Sequence, residues 1–347
     1  MQHAPPFQVA FVCPRCKGKL AADESFYRCD DCAIDYPILF GIPDFRLRPD
    51  RYLSLEEERA KAGRLYEFGQ KMSLEELVNF YYSITYDLPP LLMLRYQAAI
   101  LVAPERAQLI VRELKPVPHA DDLVDIGCGT GGLLVSAQGC YRTICGVDIA
   151  LRWLVICQKR LREQSATASL VCADVEALPF PAESFSQAVA ADLIEHVYDI
   201  DRTVSEIRGV LKPGGLLWLS GSNRFCVGPH PLTGVWATGF LPKRPRAWLL
   251  GKLKGIDLLR YAHMVSPGSM VRQLRQGGFD VLEVGPKRAH ANVAVGYAPV
   301  ERRLIALYLF MLRRPLMRSI LLRIGPAFQV LCRKSATFNP PNQAVPR

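Results

Sequence analysis

The chain has 347 residues, half of them apolar, enough for two or three compact units with a sizeable core. Lysine and arginine outnumber the acids 43 to 33, for a net charge of +10, which suits plain solubility or a polyanionic partner such as nucleic acid or an anionic membrane face. No run of about 18 uncharged apolar residues occurs, which excludes a membrane-spanning helix, and Met1 to Gln8 lacks the basic start and apolar run of a signal peptide.

The first predicted unit, residues 1–48, is built on Cys13-Pro14-Arg15-Cys16 and Cys29-Asp30-Asp31-Cys32. Two such knuckles can present four thiolates to one tetrahedral ion, so Cys13, Cys16, Cys29 and Cys32 are the expected ligands of a structural zinc, with no open position for catalysis. A unit this small needs the metal for stability. Redox activity would want the CxxC to open a helix after a strand, and neither pair is so placed. The segment Ile34-Asp35-Tyr36-Pro37-Ile38 followed by Gly41-Ile42-Pro43 resembles the tail of a small zinc-ribbon family that includes the activator subunit of several methyltransferases. That resemblance covers about residues 9–46 and implies a recognition or docking module fused in cis. The remaining seven of the 11 cysteines, Cys128, Cys140, Cys145, Cys157, Cys172, Cys226 and Cys332, mostly fall in apolar patterns, which fits a reducing cytoplasm.

Residues 49–118 read as helical. Ser54-Leu55-Glu56-Glu57 and Ser73-Leu74-Glu75-Glu76 are capping-box starts. Asp87-Leu88-Pro89-Pro90 interrupts the pattern, and Pro104 opens a further helix over Glu105–Lys115. These helices are expected to lid the next domain. Tyr81, Tyr82 and Tyr86 could line that lid, although core packing is the commoner use of such residues.

From residue 119 strands and helices alternate, the pattern of a parallel doubly wound sheet. Val124-Asp125-Ile126-Gly127-Cys128-Gly129-Thr130-Gly131-Gly132 is a buried strand running into a glycine turn, where a ligand touches backbone and a Cβ would obstruct it. Taken alone, this loop also fits nicotinamide and flavin enzymes. Asp148 ends the second strand, about 20 residues past the first glycine, where an acid accepts ribose hydroxyls. Asp174 ends the third, ahead of Val175 and Leu178. Asp192-Leu193-Ile194-Glu195-His196-Val197 follows the fourth, and Lys212-Pro213-Gly214-Gly215 turns into a fifth, Leu216–Ser220.

This ordered set resembles the class I S-adenosylmethionine-dependent methyltransferases, in the branch holding quinone and small-molecule enzymes, over roughly residues 119–285. The resemblance implies an α/β, Rossmann-like, seven-stranded doubly wound sheet with the zinc ribbon and helices added. It implies that Asp125, Gly127, Gly129 and Gly131 form the first cofactor motif and that Asp148 with Ile149 meets the ribose. By the same resemblance Asp174 and Val175 meet the adenine, and Asp192 and Glu195 lie near the methyl and methionine portions of the cofactor.

An insertion at about 223–264, with His230, Trp236, Phe240 and Trp248, is the expected acceptor segment. His196 is the first candidate for a general base, against a bland reading as a packed helix-start histidine; His230 is a weaker candidate, as is His263. Ser266–Gly278 reads as a helix, Phe279–Val284 as strand six and Phe328–Arg333 as the last strand. Residues 286–336 carry one basic apolar helix, Val300–Ile324, which suits a membrane interface or ordinary packing. Residues 337–347 read as a disordered tail, and Asn339-Pro340-Pro341 there lacks the context of an amino-group methyltransferase motif. Two acceptors remain open: a small or lipid-linked molecule, and RNA of the guanine type read through the ribbon. The expected location is cytoplasmic, with a peripheral site at the inner membrane face.

Overall fold

The structure is a computed structural model that describes residues 9–85, 90–254, 262–289, 297 and 299–338. Tyr86, the Asp87–Pro89 breaker and the Asn339–Pro341 fragment lie outside them.

The N-terminal unit is a four-stranded antiparallel sheet, β1 (Ala21–Ala22), β2 (Phe26–Cys29), β3 (Ile34–Leu39) and β4 (Ile42–Pro43). The helical region follows as α1 (Leu55–Gly69), α2 (Leu74–Ser83), α3 (Pro90–Leu101) and α4 (Ala103–Leu114). Both capping boxes form, Ser54 with Glu57 and Ser73 with Glu76, each satisfying two backbone donors that a helix start leaves open. Tyr81 and Tyr82 are core residues, and Tyr81 packs its ring 4.5 Å from that of Trp153.

The main sheet then builds through β5 (Asp122–Ile126), α5 (Gly132–Ser136), β6 (Thr143–Asp148), α6 (Leu151–Glu163), β7 (Ser169–Cys172), β8 (Phe185–Ala191), α7 (Ile200–Val210) and β9 (Leu211–Ser222). It is completed by α8 (Lys243–Lys254), α9 (Pro267–Gln276), β10 (Phe279–Pro286), α10 (Pro299–Leu312), α11 (Pro315–Ile324) and β11 (Ala327–Lys334). Seven strands lie in the order β10-β11-β9-β8-β5-β6-β7. β9, β8, β5, β6 and β7 are parallel, while β11 runs antiparallel to both β9 and β10. The chain steps outward from β5 to β7 and returns to the other side of β5 with β8. That reversal opens a crevice beyond the carboxyl ends of β5 and β8, the place where such sheets bind ligands.

Three expectations need correction. Lys212–Gly215 is not a turn ahead of the fifth strand but a bulge inside it: Leu211 pairs with Phe185, pairing resumes at Leu216 with Gln187, and Gly214 takes φ 73° in between. The single basic helix over Val300–Ile324 is two helices, because Pro315 cannot donate to the preceding turn and serves instead in the first turn of α11. Thr337 and Phe338 of the tail are placed, with the Arg208 guanidinium 4.7 Å from the centre of the Phe338 ring.

The ribbon and the sheet share a core. Phe45 lies within 5.3 Å, centroid to centroid, of Phe11, Tyr27 and Tyr36, and Phe11 reaches Phe180 of the main domain. Asp44 bridges in parallel to Cys172, and the Phe45 N–H donates to the Cys172 carbonyl at 2.7 Å. The ribbon's exit therefore pairs with the otherwise open edge at β7.

Candidate active site and cysteine cluster

The glycine loop is held from below. The N–H groups of Gly127 and Cys128 both donate to the Val147 carbonyl. Gly127, Gly129 and Gly131 all have positive φ, at 76°, 50° and 76°, a backbone that side chains rarely adopt. The glycines differ in what a Cβ would meet. At Gly131 it would come within 2.4 Å of the Cys157 sulfur, whereas at Gly129 nothing lies within 4 Å. Gly131 is thus glycine for packing, and Gly129 faces the open crevice. Arg160, buried on α6, props the loop by donating to the Thr130 carbonyl at 2.7 Å and to the Ile100 carbonyl at 2.6 Å.

Asp148 stands against this loop. Its Oδ2 accepts the Gly129 N–H at 2.9 Å and its Oδ1 the Ala150 N–H at 2.8 Å. Burial raises its pKa, and those two donors hold the increase down. Asp125, on the neighbouring strand, is pushed up to about 8 by burial and then by the charge of Asp148. A rim of glycine backbone with open space at Gly129 and a carboxylate beside it suits a ligand presenting hydroxyls, so the donor set fits an adenosyl group. Asp125, Gly127, Gly129, Gly131, Asp148 and Ile149 lie at or just beyond the ends of the paired parallel strands β5 and β6.

The far side of the crevice is made after β8. Asp192 has φ 53°; its Oδ1 accepts the Ser220 hydroxyl at 2.9 Å and its Oδ2 pairs with Lys287. Burial works against ionisation there, but Lys287 and Ser220 outweigh it and lower the Asp192 pKa. Glu195 is 2% exposed. Its Oε1 accepts from the Ser222 hydroxyl and N–H, while Oε2 is buried with no hydrogen-bond partner. Burial first, and the Asp192 charge second, raise its pKa to about 7. His196 is exposed, with Nδ1 3.3 Å from the Tyr52 hydroxyl; desolvation of the ring lowers its pKa against the pull of Asp192.

His230 is elsewhere in character. It is 1% exposed, its Nδ1 accepts the Leu232 N–H, and burial lowers its pKa to about 4, so it is a neutral residue packed inside the insertion.

One group of site residues went unread in the sequence. The segment after the ribbon, Asp44 to Tyr52, straps across the strand ends. Arg46 grips buried Asp44 with two bonds of 2.7 Å and donates to the Ile149 carbonyl, next to Asp148. Arg48 pairs with Asp174 and, at 2.6 Å, with Glu176. Asp50 joins Glu58 around buried Arg152. Arg48 and Arg51 lie 4.0 Å and 3.9 Å from the centre of the Tyr198 ring. Asp174 therefore already holds a cation as well as the Glu176 N–H at 2.9 Å, and Val175 follows it in the same turn. The alternation Asp44-Phe45-Arg46-Leu47-Arg48 was the available signal: charge every second residue marks an extended segment with one charged side.

In the ribbon, the Sγ atoms of Cys13, Cys16, Cys29 and Cys32 all lie within 4.8 Å of one another. Cys13 and Cys32 are 3.9 Å apart and Cys16 and Cys29 3.6 Å. A disulfide needs about 2.05 Å, whereas four thiolates about 2.3 Å from one tetrahedral ion stand roughly 3.8 Å apart. The Gly18 N–H points at the Cys16 sulfur at 3.4 Å, a donor that favours a thiolate.

Residues 124–219 match the family model described as a methyltransferase domain. The chain therefore carries an S-adenosylmethionine-dependent methyltransferase domain. It is 26% identical over 187 residues to a ubiquinone biosynthesis O-methyltransferase of Coxiella burnetii, covering 53% of this chain and 73% of that protein. It is 34% identical over 136 residues to a malonyl-[acyl-carrier protein] O-methyltransferase of a Methylovorus species, covering 36% of this methyltransferase and 45% of that one. Among solved structures, an S-adenosylmethionine-dependent methyltransferase from Mesorhizobium loti superposes with a TM-score of 0.45 at 20% identity, over 67% of this chain and 99% of that one.

Proposed function

We propose that this methyltransferase transfers the methyl group to an oxygen of a small or lipid-linked acceptor. The observation that carries the donor site is the left-handed glycine loop clasped by Asp148, with open space at Gly129. Support for the acceptor comes from the relatives, which are named for a quinone and for an acyl group on a carrier protein. RNA is the second reading, and no contact described above favours it.

Bound S-adenosylmethionine supplies a methyl on a sulfonium, already activated for in-line displacement. The chain's part is to hold donor and acceptor in line, exclude water and take the acceptor's proton. In this reading Asp148 accepts the ribose hydroxyls, and Asp125 and Ile149 complete that wall. Val175 and Asp174, the latter steadied by Arg48, border the base, while Asp192 and Glu195 border the methionine end. His196 would take the hydroxyl proton of the acceptor whose oxygen receives the methyl. That role needs Nδ1–H donated to the Tyr52 oxygen, which leaves the Nε2 lone pair for the acceptor. His230, buried and neutral, serves packing. The four cysteines hold structural zinc, which supplies a rigid knuckle and takes no part in transfer.

Two measurements check this. Labelled donor incubated with lipid extract and with RNA should leave label in the lipid fraction, insensitive to nuclease; nuclease-sensitive label would transfer the assignment to RNA. The pH profile of kcat should rise with a midpoint below the ordinary histidine value of 6.5, because desolvation favours the neutral ring. His196→Gln should remove that limb and cost roughly 10²–10⁴ in kcat. Activity within threefold of the parent would leave His196 as a packing residue.

A further inference from the structure

Both insertions of this fold leave the sheet at the crevice end. β9 runs parallel to β8, and β10 runs the same way because each is antiparallel to β11. The segment after β9 and the α10–α11 pair after β10 therefore start from one rim, and they are tied together there. The Asn223 amide donates to the carbonyls of Arg323 and Gly325 at 3.1 Å, and the Val227 N–H donates to the Ile324 carbonyl at 3.1 Å. Tyr308 of α10 donates to the Lys287 carbonyl, and Lys287 pairs with Asp192 in the crevice wall.

These insertions expose what a soluble surface hides. α10 is a helix of 14 residues, mostly apolar, with none buried. Leu316 on α11 is 81% exposed and Trp248 on α8 is 66% exposed, and Trp236, Phe240 and Phe310 are all more than half exposed. Large apolar side chains exposed on two segments that start from one rim mark an interaction surface. The charge is equally one-sided. The sequence holds no acid between Glu206 and Asp257, and none after Glu301. Lys243 and Arg244 open α8, and Arg313 and Arg314, both exposed, stand between α10 and α11.

We infer that this rim is a docking surface for an anionic lipid bilayer, in which the aromatic and leucine side chains enter the interface and the lysines and arginines meet the headgroup phosphates. Charge complementarity makes the partner anionic, and the exposed leucines make it a bilayer rather than nucleic acid. A nucleic-acid groove needs cations and stacking platforms and gains nothing from a fully exposed leucine. No described helix is long and apolar enough to cross the membrane, so the contact is peripheral. The location deepens the acceptor reading, because the mouth of the crevice then faces the phase in which a lipid-linked acceptor resides. The lipid contact itself does not depend on that reading.

The test is co-sedimentation of the full chain with vesicles of phosphatidylcholine, with and without phosphatidylglycerol. Binding should require phosphatidylglycerol and weaken with salt. Trp248→Ser and Leu316→Ser should each lower partitioning by about tenfold, as expected for withdrawing one large side chain from the interface. Arg313→Glu should lower it by about fivefold or more. Calorimetry with S-adenosylmethionine should be unchanged in all three variants. Absence of binding to the anionic vesicles overturns the inference, as does a Trp248→Ser, Leu316→Ser double variant that sediments like the parent. Salt-sensitive binding of an RNA oligonucleotide, with no vesicle binding, also overturns it. Vesicle binding by a protein that fails to bind S-adenosylmethionine would uphold this surface while refuting the donor site.

Discussion

Calorimetry on the Asp148→Ala variant is expected to show affinity for S-adenosylmethionine reduced by about a hundredfold or more, with the unliganded protein still folded. The magnitude follows from what the carboxylate does. Each hydrogen bond to a charged partner contributes roughly 1.5–3 kcal/mol, and a ribose offers two hydroxyls to one acid. A second loss adds to the first: Asp148 accepts the Gly129 N–H, so its removal also frees the loop at the one glycine whose Cβ side is open to the crevice. The unliganded fold should survive, because two unfavourable features disappear with the side chain, a buried carboxylate and its repulsion with Asp125. Asp125 should consequently titrate lower in the variant, although burial, its larger cause, still keeps it above the ordinary range. Asp148→Asn offers a sharper comparison. The amide keeps the size but can accept only through one atom, and its NH2 then faces either the Gly129 or the Ala150 N–H. Weak binding by both variants, with melting temperatures near that of the parent, places the loss in the site. Undiminished affinity in Asp148→Ala would remove the ribose assignment and with it the proposed donor pose.

The central domain was legible because its signals are local and redundant. Each of β5, β6 and β7 is an apolar run that ends near an acid or a glycine, and parallel strands buried on both faces leave no freedom of period to misread. Asp148 ends β6, as an acid at a strand end implies, and Ser266 caps α9. What escaped was non-local. Nothing in Asp44-Phe45-Arg46-Leu47-Arg48 says that Arg48 meets Asp174, 126 positions away, or that Arg46 reaches the Ile149 carbonyl. The bulge at Lys212–Gly215 was missed for a different reason: glycines that serve a turn and glycines that serve a bulge have the same composition, and only the pairing of Phe185 with Leu211 separates them. His230 looked like a candidate base because histidine beside proline in an aromatic segment is ambiguous until burial is known.

The second large effect concerns the ribbon. With zinc as its ion, Cys29→Ser should abolish stoichiometric metal, lower the melting temperature by roughly 4–7 °C, and weaken S-adenosylmethionine binding by about tenfold, although the four ribbon cysteines are not part of the glycine loop. A ribbon of this size owes its folded state to the ion, so the variant should lose the whole unit. Its aromatic core is shared: Phe11 and Phe45 pack toward Phe180, and Phe45 pairs with Cys172 at the sheet edge. Releasing them exposes β7 and an apolar surface worth roughly 3–5 kcal/mol, at about 1.4 °C each for a chain of this size. The strap then loses its anchor at Asp44, so Arg46 no longer fixes the Ile149 carbonyl beside Asp148, and Arg48 no longer steadies Asp174. Arg46→Ala separates the two contributions, since it keeps the metal and the aromatic core while cutting the link to Ile149. It should reproduce most of the affinity loss with little loss of zinc. A Cys29→Ser protein that retains full zinc would refute the four-cysteine site. One that loses zinc but binds S-adenosylmethionine as the parent does would show that the ribbon and the crevice, though packed together, are energetically independent.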